Sequence, residues 1–201
     1  GQISMIYRND SGVFSELPAG LVGVSGRSTS EWGDYDNDGD LDLLIAGYSS
    51  SGRISKIYRN DAGAFTDLDA GLTPVTNASA AWGDYDNDGD LDLVVTGYNG
   101  SAAVSEIYRN DSGIFNDIGA GLPGISTGSV SWGDYDNDGD PDLLLTGYGY
   151  ARIYINDNGN FVDAEAGLQG ISNSSAEWGD YDSDGDLDIL MAGVYWDNGQ
   201  I

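Results

Sequence analysis

Internal repetition constrains this chain more than any other feature of its sequence. A nine-residue, aspartate-rich motif, WGDYDNDGD, occurs four times, the last time with Ser for Asn, beginning at Trp32, Trp82, Trp132 and Trp178. The starts are 50, 50 and 46 residues apart. Repeats of this length are typical of architectures in which each unit buries its apolar faces against its neighbours. The sequence therefore predicts four structural units built on one plan.

Each repeat contains four short stretches with the character of β-strands. The first ends in Trp-Gly, and the second follows the aspartates as an apolar run such as 43–45, which is typical of a strand buried on both faces. The third and fourth are joined by an Asn-Asp-x-Gly turn, a hairpin signal. This hairpin motif, IYRND or IYIND, begins at Ile6, Ile57, Ile107 and Ile153. No stretch of ten residues shows helical periodicity without Gly, so we expect essentially no helix.

Four-stranded units of this length predict an all-β fold, a β-propeller whose blades cover one another. We expect one domain over residues 1–201 with four blade-equivalents. The chain opens with the third and fourth strands of a blade and ends with the first and second strands. The two half-blades can complete each other in one chain, or two chains can share them in an eight-bladed ring with twofold symmetry. Because the chain opens inside a repeat and without an initiator Met, we interpret it as an excised or processed piece.

Composition excludes several classes of function. The formal charge is −27, from 34 acidic and 7 basic side chains, and such acidity argues against nucleic acid or an anionic membrane as a partner. There is no Cys and no His, which excludes disulfides, thiolate metal sites and the Ser-His arrangement and disfavours zinc. We therefore expect a protein that is not an enzyme. No apolar run is long enough to span a membrane, and no signal peptide is visible.

The aspartate-rich loop has the chemistry of a cation site. Counted from Asp34, acidic residues occupy positions 1, 3, 5, 7 and 9, and Gly39 at position 6 allows the positive φ of a tight turn. Several oxygen ligands favour a hard cation, and calcium over magnesium. The start matches an EF-hand loop, but position 12 is Ile45 rather than Glu, and a strand follows instead of a helix. The alternative is a set of solvated acidic turns, which the recurrence of Gly at position 6 disfavours.

The run DYDNDGDLDL with the following apolar strand and Ala46-Gly47-Tyr48 resembles the FG-GAP repeat of integrin α-chain propellers and the bacterial VCBS-type repeats. The resemblance extends over the whole chain. It implies about four Ca²⁺ ions per chain, bound by the side chains at positions 1, 3, 5 and 9 and the carbonyl at position 7. In the first two loops these residues are Asp34, Asp36, Asp38, Asp40 and Asp42, and Asp84, Asp86, Asp88, Asp90 and Asp92. In the last two they are Asp134, Asp136, Asp138, Asp140 and Asp142, and Asp180, Asp182, Asp184, Asp186 and Asp188.

The resemblance also bears on assembly and location. Related repeats form rings of about seven or eight blades, which require a smaller angle between blades than a ring of four. We therefore favour a homodimer that closes an eight-bladed ring. The resemblance implies an extracellular or cell-surface location and a calcium-stabilised recognition or adhesion module.

The connector between the second and third strands is where the repeats differ most. In a propeller these connectors lie on the face opposite the aspartate loops. This face is rich in aromatic residues, namely Tyr48, Tyr98, Tyr148, Tyr150, Tyr195 and Trp196. Exposed rings of this kind suit a protein or glycan ligand, although loop tips also vary when nothing constrains them. The family resemblance implies two alternative functions, a lectin-like propeller, which the rim aromatics would suit, and a non-catalytic domain of a polysaccharide-active enzyme.

Overall fold

The structure is a computed structural model that describes residues 1–195. Residues 196–201, and with them the predicted rim residue Trp196, lie outside the described part. The described residues form sixteen β-strands and no helix, as the sequence predicts. Among them there is thus no helix long and apolar enough to cross a membrane.

The strands follow the four predicted stretches of each repeat. The first half of the chain forms β1 (Ile6–Asp10), β2 (Val13–Leu17), β3 (Val24–Gly33), β4 (Asp42–Ser49), β5 (Gly52–Asp61), β6 (Ala64–Asp67), β7 (Thr76–Gly83) and β8 (Asp92–Tyr98). The second half forms β9 (Ala103–Asp111), β10 (Ile114–Asp117), β11 (Ser129–Gly133), β12 (Asp142–Gly147), β13 (Tyr150–Asp157), β14 (Asn160–Asp163), β15 (Ile171–Gly179) and β16 (Asp188–Tyr195).

The strands are arranged in four antiparallel sheets that follow the order of the repeats. Strands β3 to β6 form one four-stranded sheet in chain order, and β7 to β10 form a second. In the third repeat β11 to β14 pair in the same way, and β15 and β16 are joined to them through the single pair Tyr150 and Ile171. Strands β1 and β2 form a separate hairpin.

The second strand of each sheet forms the core because both of its faces are covered. Leu44 and Ile57 are paired across β4 and β5 and are fully buried, in a cluster that includes Leu93 and Val95 of the next sheet. Successive side chains of a strand point to opposite faces, and Leu43 accordingly lies in a different cluster. The unbroken apolar runs therefore bury one face against each neighbouring sheet.

A Trp-Gly contact holds adjacent sheets close together. A Cβ atom on Gly33 would lie 2.8 Å from the ring of Trp82 in the next repeat, so only glycine fits there. The ring of Trp82 also stacks on Tyr35, with centroids 6.5 Å apart and an interplanar angle of 15°. The same close approach brings Trp132 against Gly83 and Trp178 against Gly133, so these three Trp residues pack between sheets.

The two ends of the row of sheets are open. Within the described part of the chain, β1 pairs only with β2, and β16 pairs only with β15. The completion of β15 and β16 by an N-terminal hairpin therefore does not occur within one copy of the structure, and its occurrence between copies stays a prediction.

Candidate metal centre

The aspartate-rich loop connects the first and second strands of each sheet and brings three carboxylates together. In the first loop, Asp34, Asp36 and Asp42 each place one oxygen within 4.8 Å of the others. The same three positions converge in the other loops, in the groups Asp84, Asp86 and Asp92, Asp134, Asp136 and Asp142, and Asp180, Asp182 and Asp188. Positions 1, 3 and 9 of every predicted site therefore lie together.

The carboxylate at position 1 organises the turn. Oδ1 of Asp34 accepts a hydrogen bond from the backbone N–H of Asp38, and Oδ2 accepts one from Gly39, both at 3.1 Å. The turn passes through positive φ at Asn37 and at Gly39, with values of 58° and 93°, where glycine carries no Cβ penalty. The same pair of bonds recurs in all four loops, with Asp84, Asp134 and Asp180 as acceptors.

The carboxylate at position 9 is buried at the start of the second strand. Oδ2 of Asp42 accepts the backbone N–H of Tyr35 at 3.1 Å, and Oδ1 accepts that of Asn60 at 2.8 Å. Burial, opposed by these hydrogen bonds and reinforced by the charges of nearby aspartates, raises the pKa of Asp42 to about 6 and that of Asp92 to about 7. An ionised carboxylate at this depth is stabilised by a neighbouring positive charge.

The carboxylate at position 3 provides an observation that points to a ligand. Oδ1 of Asp36 and Oδ1 of Asp86 are buried and have no hydrogen-bond partner. Burial, followed by the charges of neighbouring aspartates, raises the pKa of both groups. A buried acceptor without a donor is costly unless something else satisfies it. Asp36 and Asp86 both belong to the converging groups of carboxylates, so the residues present fit a hard metal ion with oxygen ligands.

Positions 5 and 7 have other contacts. Asp38 is exposed, lies outside the group of three, and accepts the N–H of Asp40 through Oδ1 at 2.8 Å. Oδ2 of Asp40 accepts the N–H of Ala62 at 2.8 Å, which ties the loop to the hairpin of its own sheet. The assignments of the position-5 side chain and the position-7 carbonyl as ligands stay predictions.

An asparagine that the sequence analysis interpreted only as part of a turn supports the position-9 aspartate in the first three loops. Besides its N–H bond to Asp42, Asn60 donates from Nδ2 to the carbonyl of Leu41 at 2.9 Å and accepts the N–H of Gly63 through Oδ1 at 2.7 Å. In the second repeat, Nδ2 of Asn110 also reaches the carbonyl of Tyr35 in the preceding loop at 2.8 Å. The sequence signal that could have revealed this role is the presence of Asn at the same position of every repeat.

A second asparagine, at position 4 of the loop, links adjacent loops directly. Nδ2 of Asn37 donates to the carbonyl of Gly89 at 3.1 Å and to Oδ1 of Asp90 at 3.0 Å. Asn87 and Asn137 make the corresponding bonds to Asp140 and Asp186, at 2.8 and 3.0 Å. The four loops therefore form one continuous row.

The predicted rim residues lie at the other end of the second strands. Strand β4, for example, starts at Asp42 of the metal loop and carries Tyr48 near its far end. The five tyrosines of the predicted rim are exposed, namely Tyr48, Tyr98, Tyr148, Tyr150 and Tyr195. One concavity at this end, of about 430 Å³, is lined by Thr127, Tyr148, Gly149, Ser172 and Asn173. Tyr148 lies beside this concavity with a positive φ of 56°.

These features define a repeat protein whose sheets each carry an acidic loop able to hold a metal ion. The profile of the FG-GAP-like repeat matches residues 34–95, 84–145 and 134–191. The chain therefore belongs to the FG-GAP-like repeat family, as its motifs predict.

Among solved structures, the chain is similar to a lectin of Agrocybe aegerita, whose description concerns the specific recognition of non-reducing terminal N-acetylglucosamine. The TM-score is 0.57 at 18% identity, and the match covers 93% of this chain and 54% of the lectin chain. The chain thus spans about half the length of that lectin chain, and at this identity the likeness concerns the fold. No curated protein sequence matches the chain.

Proposed function

We propose that this chain is a calcium-binding, integrin-like β-propeller segment that acts as a non-catalytic recognition scaffold. The observation that carries the proposal is the convergence of three carboxylates in every loop, with a buried oxygen of Asp36 and of Asp86 that lacks a donor. The membership of the FG-GAP-like repeat family supports it.

Calcium suits these loops better than magnesium does. The donors are carboxylate oxygens in irregular turns, and Ca²⁺ accepts variable geometry with many oxygen ligands, whereas Mg²⁺ requires near-octahedral geometry and retains water. Four Ca²⁺ ions would reduce the formal charge from −27 to −19. The ions would neutralise repulsion within each loop and, because adjacent loops are joined by Asn37 and its counterparts, stiffen the whole row.

Calorimetric titration with calcium tests the proposal at one loop. Asp36→Asn replaces a charged ligand by a neutral one, so we expect one fewer ion bound per chain than in the unmodified protein. Asp69→Asn, which changes an exposed aspartate outside the loops, is the matched control and should leave the number of ions unchanged. If both variants bind the same number of ions, Asp36 is not a calcium ligand. If the unmodified protein binds no calcium, the proposal is overturned.

A second candidate function is glycan binding at the face opposite the metal loops. The observation that favours it is the concavity beside Tyr148, which combines an exposed ring with the hydroxyl and amide groups of Thr127, Ser172 and Asn173. Sugars are commonly bound by such a combination of aromatic surface and polar groups. The similarity in fold to a lectin is consistent with this candidate. A glycan array decides between a glycan and a protein ligand, because binding to any glycan that Tyr148→Ala abolishes would support the former.

We also propose an extracellular or cell-surface location. Extracellular calcium modules have dissociation constants of about 10⁻⁴–10⁻³ M and therefore bind calcium far more weakly than cytosolic buffers do. The same titration provides the test, since affinities in this range fit an extracellular ion supply and nanomolar affinities contradict it.

A further inference from the structure

The fourth metal loop is incomplete within one copy of the chain. Oδ2 of Asp188 accepts the N–H of Tyr181 at 3.0 Å, as in the other loops. In those loops the second oxygen accepts the N–H of an asparagine, namely Asn60, Asn110 or Asn156, at 2.8 Å in each case. Among residues 1–195, no asparagine of a following hairpin lies beside Asp188, since β16 pairs only with β15.

The missing group is present at the opposite end of the chain. The hairpin of β1 and β2 is the third-and-fourth-strand hairpin of a repeat, and no second strand lies beside it in the described part of the chain. Its asparagine, Asn9, accepts the N–H of Gly12 at 2.7 Å, as Asn60 accepts that of Gly63. The turn is therefore already formed as in the complete sites.

The aromatic contacts between sheets are divided between the two ends in the same way. Tyr35 is buried against Trp82 and Phe115 of the next repeat. Its counterpart Tyr181 is 83% exposed. At the other end, Trp32 packs on Phe65 but is 48% exposed. One end thus presents the tyrosine of this cluster, and the other presents the Trp-Phe pair.

The strand edges and the glycines follow the same pattern. Leu190 is 76% exposed, whereas Leu44 and Leu144 at the same position are fully buried. A Cβ on Gly179 would have nothing within 4 Å, in contrast to Gly33 against Trp82. Concavities of about 450 Å³ beside Gly179 and Leu190 and about 250 Å³ beside Trp32 lie where the neighbouring sheet packs in the other repeats.

We propose that a second copy of this chain docks its β1–β2 hairpin on β16 and thereby completes the fourth metal loop. The register follows from the pairs Leu43–Tyr58, Leu44–Ile57 and Ile45–Lys56 in the first sheet. It places Leu190 opposite Ile6 and Met191 opposite Met5 of the partner copy. The N–H of Asn9 of that copy then donates to Asp188.

Twofold symmetry closes this arrangement. Each copy contributes one open β16 edge and one open β1 edge, so two copies satisfy all four edges in one ring, as a closed symmetric assembly requires. The structure favours a second copy over closure within one chain because β1 and β16 do not pair in it.

Light scattering with matched variants tests the interface. The unmodified chain should have about twice the mass of 21.2 kDa, and Leu190→Arg should reduce it to that of one chain. Because Leu190 is exposed in one copy, the variant should keep the far-ultraviolet circular dichroism of the sheets. Ile114→Arg, at a side chain of similar exposure on β10, should leave the mass unchanged. An unmodified chain of single mass, or one whose mass grows beyond two copies with concentration, would overturn the proposal.

Cysteine cross-linking tests the register, and the chain has no Cys of its own. Mixing the single variants Met5→Cys and Met191→Cys under oxidising conditions should give a covalent dimer, whereas Met5→Cys mixed with Ile114→Cys should not. The double variant Met5→Cys/Met191→Cys distinguishes a link between two copies from a link within one chain. A link within one chain, seen as an oxidised band of single mass, would instead establish closure of a four-bladed ring and contradict the proposal.

The inference rests on the proposed calcium function only for the ion in the fourth loop, and one titration separates the two. A dimer that binds no calcium would leave the interface standing and overturn the proposed function. A monomer that binds calcium in three loops would overturn the interface and leave the proposed calcium function standing. We expect four ions per chain in the dimer and three in Leu190→Arg.

Discussion

The side-chain amide of Asn110 donates a 2.8 Å hydrogen bond to the backbone carbonyl of Tyr35, a residue that precedes it by 75 positions. Its own N–H is bonded to Asp92, so one asparagine joins the buried carboxylate of one repeat to the metal loop of the repeat before it. Asn156 makes the equivalent bond to the carbonyl of Tyr85 at 2.7 Å. Through these side chains, the metal loops and the packing between sheets form one network.

Asn110→Ala should therefore destabilise the fold strongly. The substitution leaves the carbonyls of Tyr35 and Leu91 without their buried donor, at a cost of about 2–4 kcal/mol in the free energy of unfolding. Urea denaturation in calcium measures this. Asn116→Ala, which removes only long bonds of 3.5 Å on an exposed side chain, is the control, and equal effects of the two substitutions would contradict the account.

Gly83→Ala and Gly179→Ala should differ although the two glycines occupy the same position of the repeat. A Cβ at Gly83 would lie 2.5 Å from the ring of Trp132, while one at Gly179 has nothing within 4 Å. We expect Gly83→Ala to lower the free energy of unfolding by about 1–3 kcal/mol. Gly179→Ala should leave the unfolding of one chain unchanged but weaken dimerisation, because Trp32 of a second copy would occupy that space. The two substitutions can be compared in the Leu190→Arg variant, which we expect to be monomeric. Similar losses in the free energy of unfolding for both would refute this prediction.

Tyr148→Asn should separate ligand binding from stability. Tyr148 and Gly149 form a two-residue turn with φ values of 56° and 84°, the pattern of a type I′ turn, in which Asn-Gly is preferred. Replacing a strained tyrosine by asparagine should raise the free energy of unfolding by about 1 kcal/mol. The same change removes the ring from the concavity and should abolish binding at that face. A variant that is more stable and still binds would show that the ring is not a contact.

The ion-free protein should become more stable on mild acidification. The pKa values of Asp92 and Asp42 are raised by burial to about 7 and about 6 in the folded chain, above the ordinary value of an unfolded aspartate. The folded state therefore binds these protons more tightly, so stability is greatest below the unfolded pKa and is lost as pH rises through 6 to 7. In EDTA the melting temperature should rise from pH 8 to pH 5, and less steeply in Asp92→Asn. With saturating calcium, acidification should not stabilise the protein, because protons then compete with the ion.

The repeats made much of the fold and the site predictable. The apolar runs and the Asn-Asp-x-Gly turns predict the sixteen strands. The resemblance to the FG-GAP repeat implies side-chain ligands at positions 1, 3, 5 and 9, of which Asp34, Asp36 and Asp42 at positions 1, 3 and 9 converge. The bond between Asn110 and Tyr35 could not be foreseen, because a repeat identifies equivalent residues but not which neighbour they touch. For the same reason, Leu190 and Leu44 occupy identical positions in the pattern, and only the presence or absence of a neighbouring sheet makes one exposed and the other buried.

Thermal unfolding in excess calcium and in excess EDTA tests the central claim most directly. An ion that binds only the folded state at about 100 times its dissociation constant stabilises that state by about 2.7 kcal/mol for each site. With several sites per chain, the account predicts a large fall in melting temperature when calcium is removed and its recovery when calcium is restored. Identical melting curves in calcium and in EDTA would contradict the account.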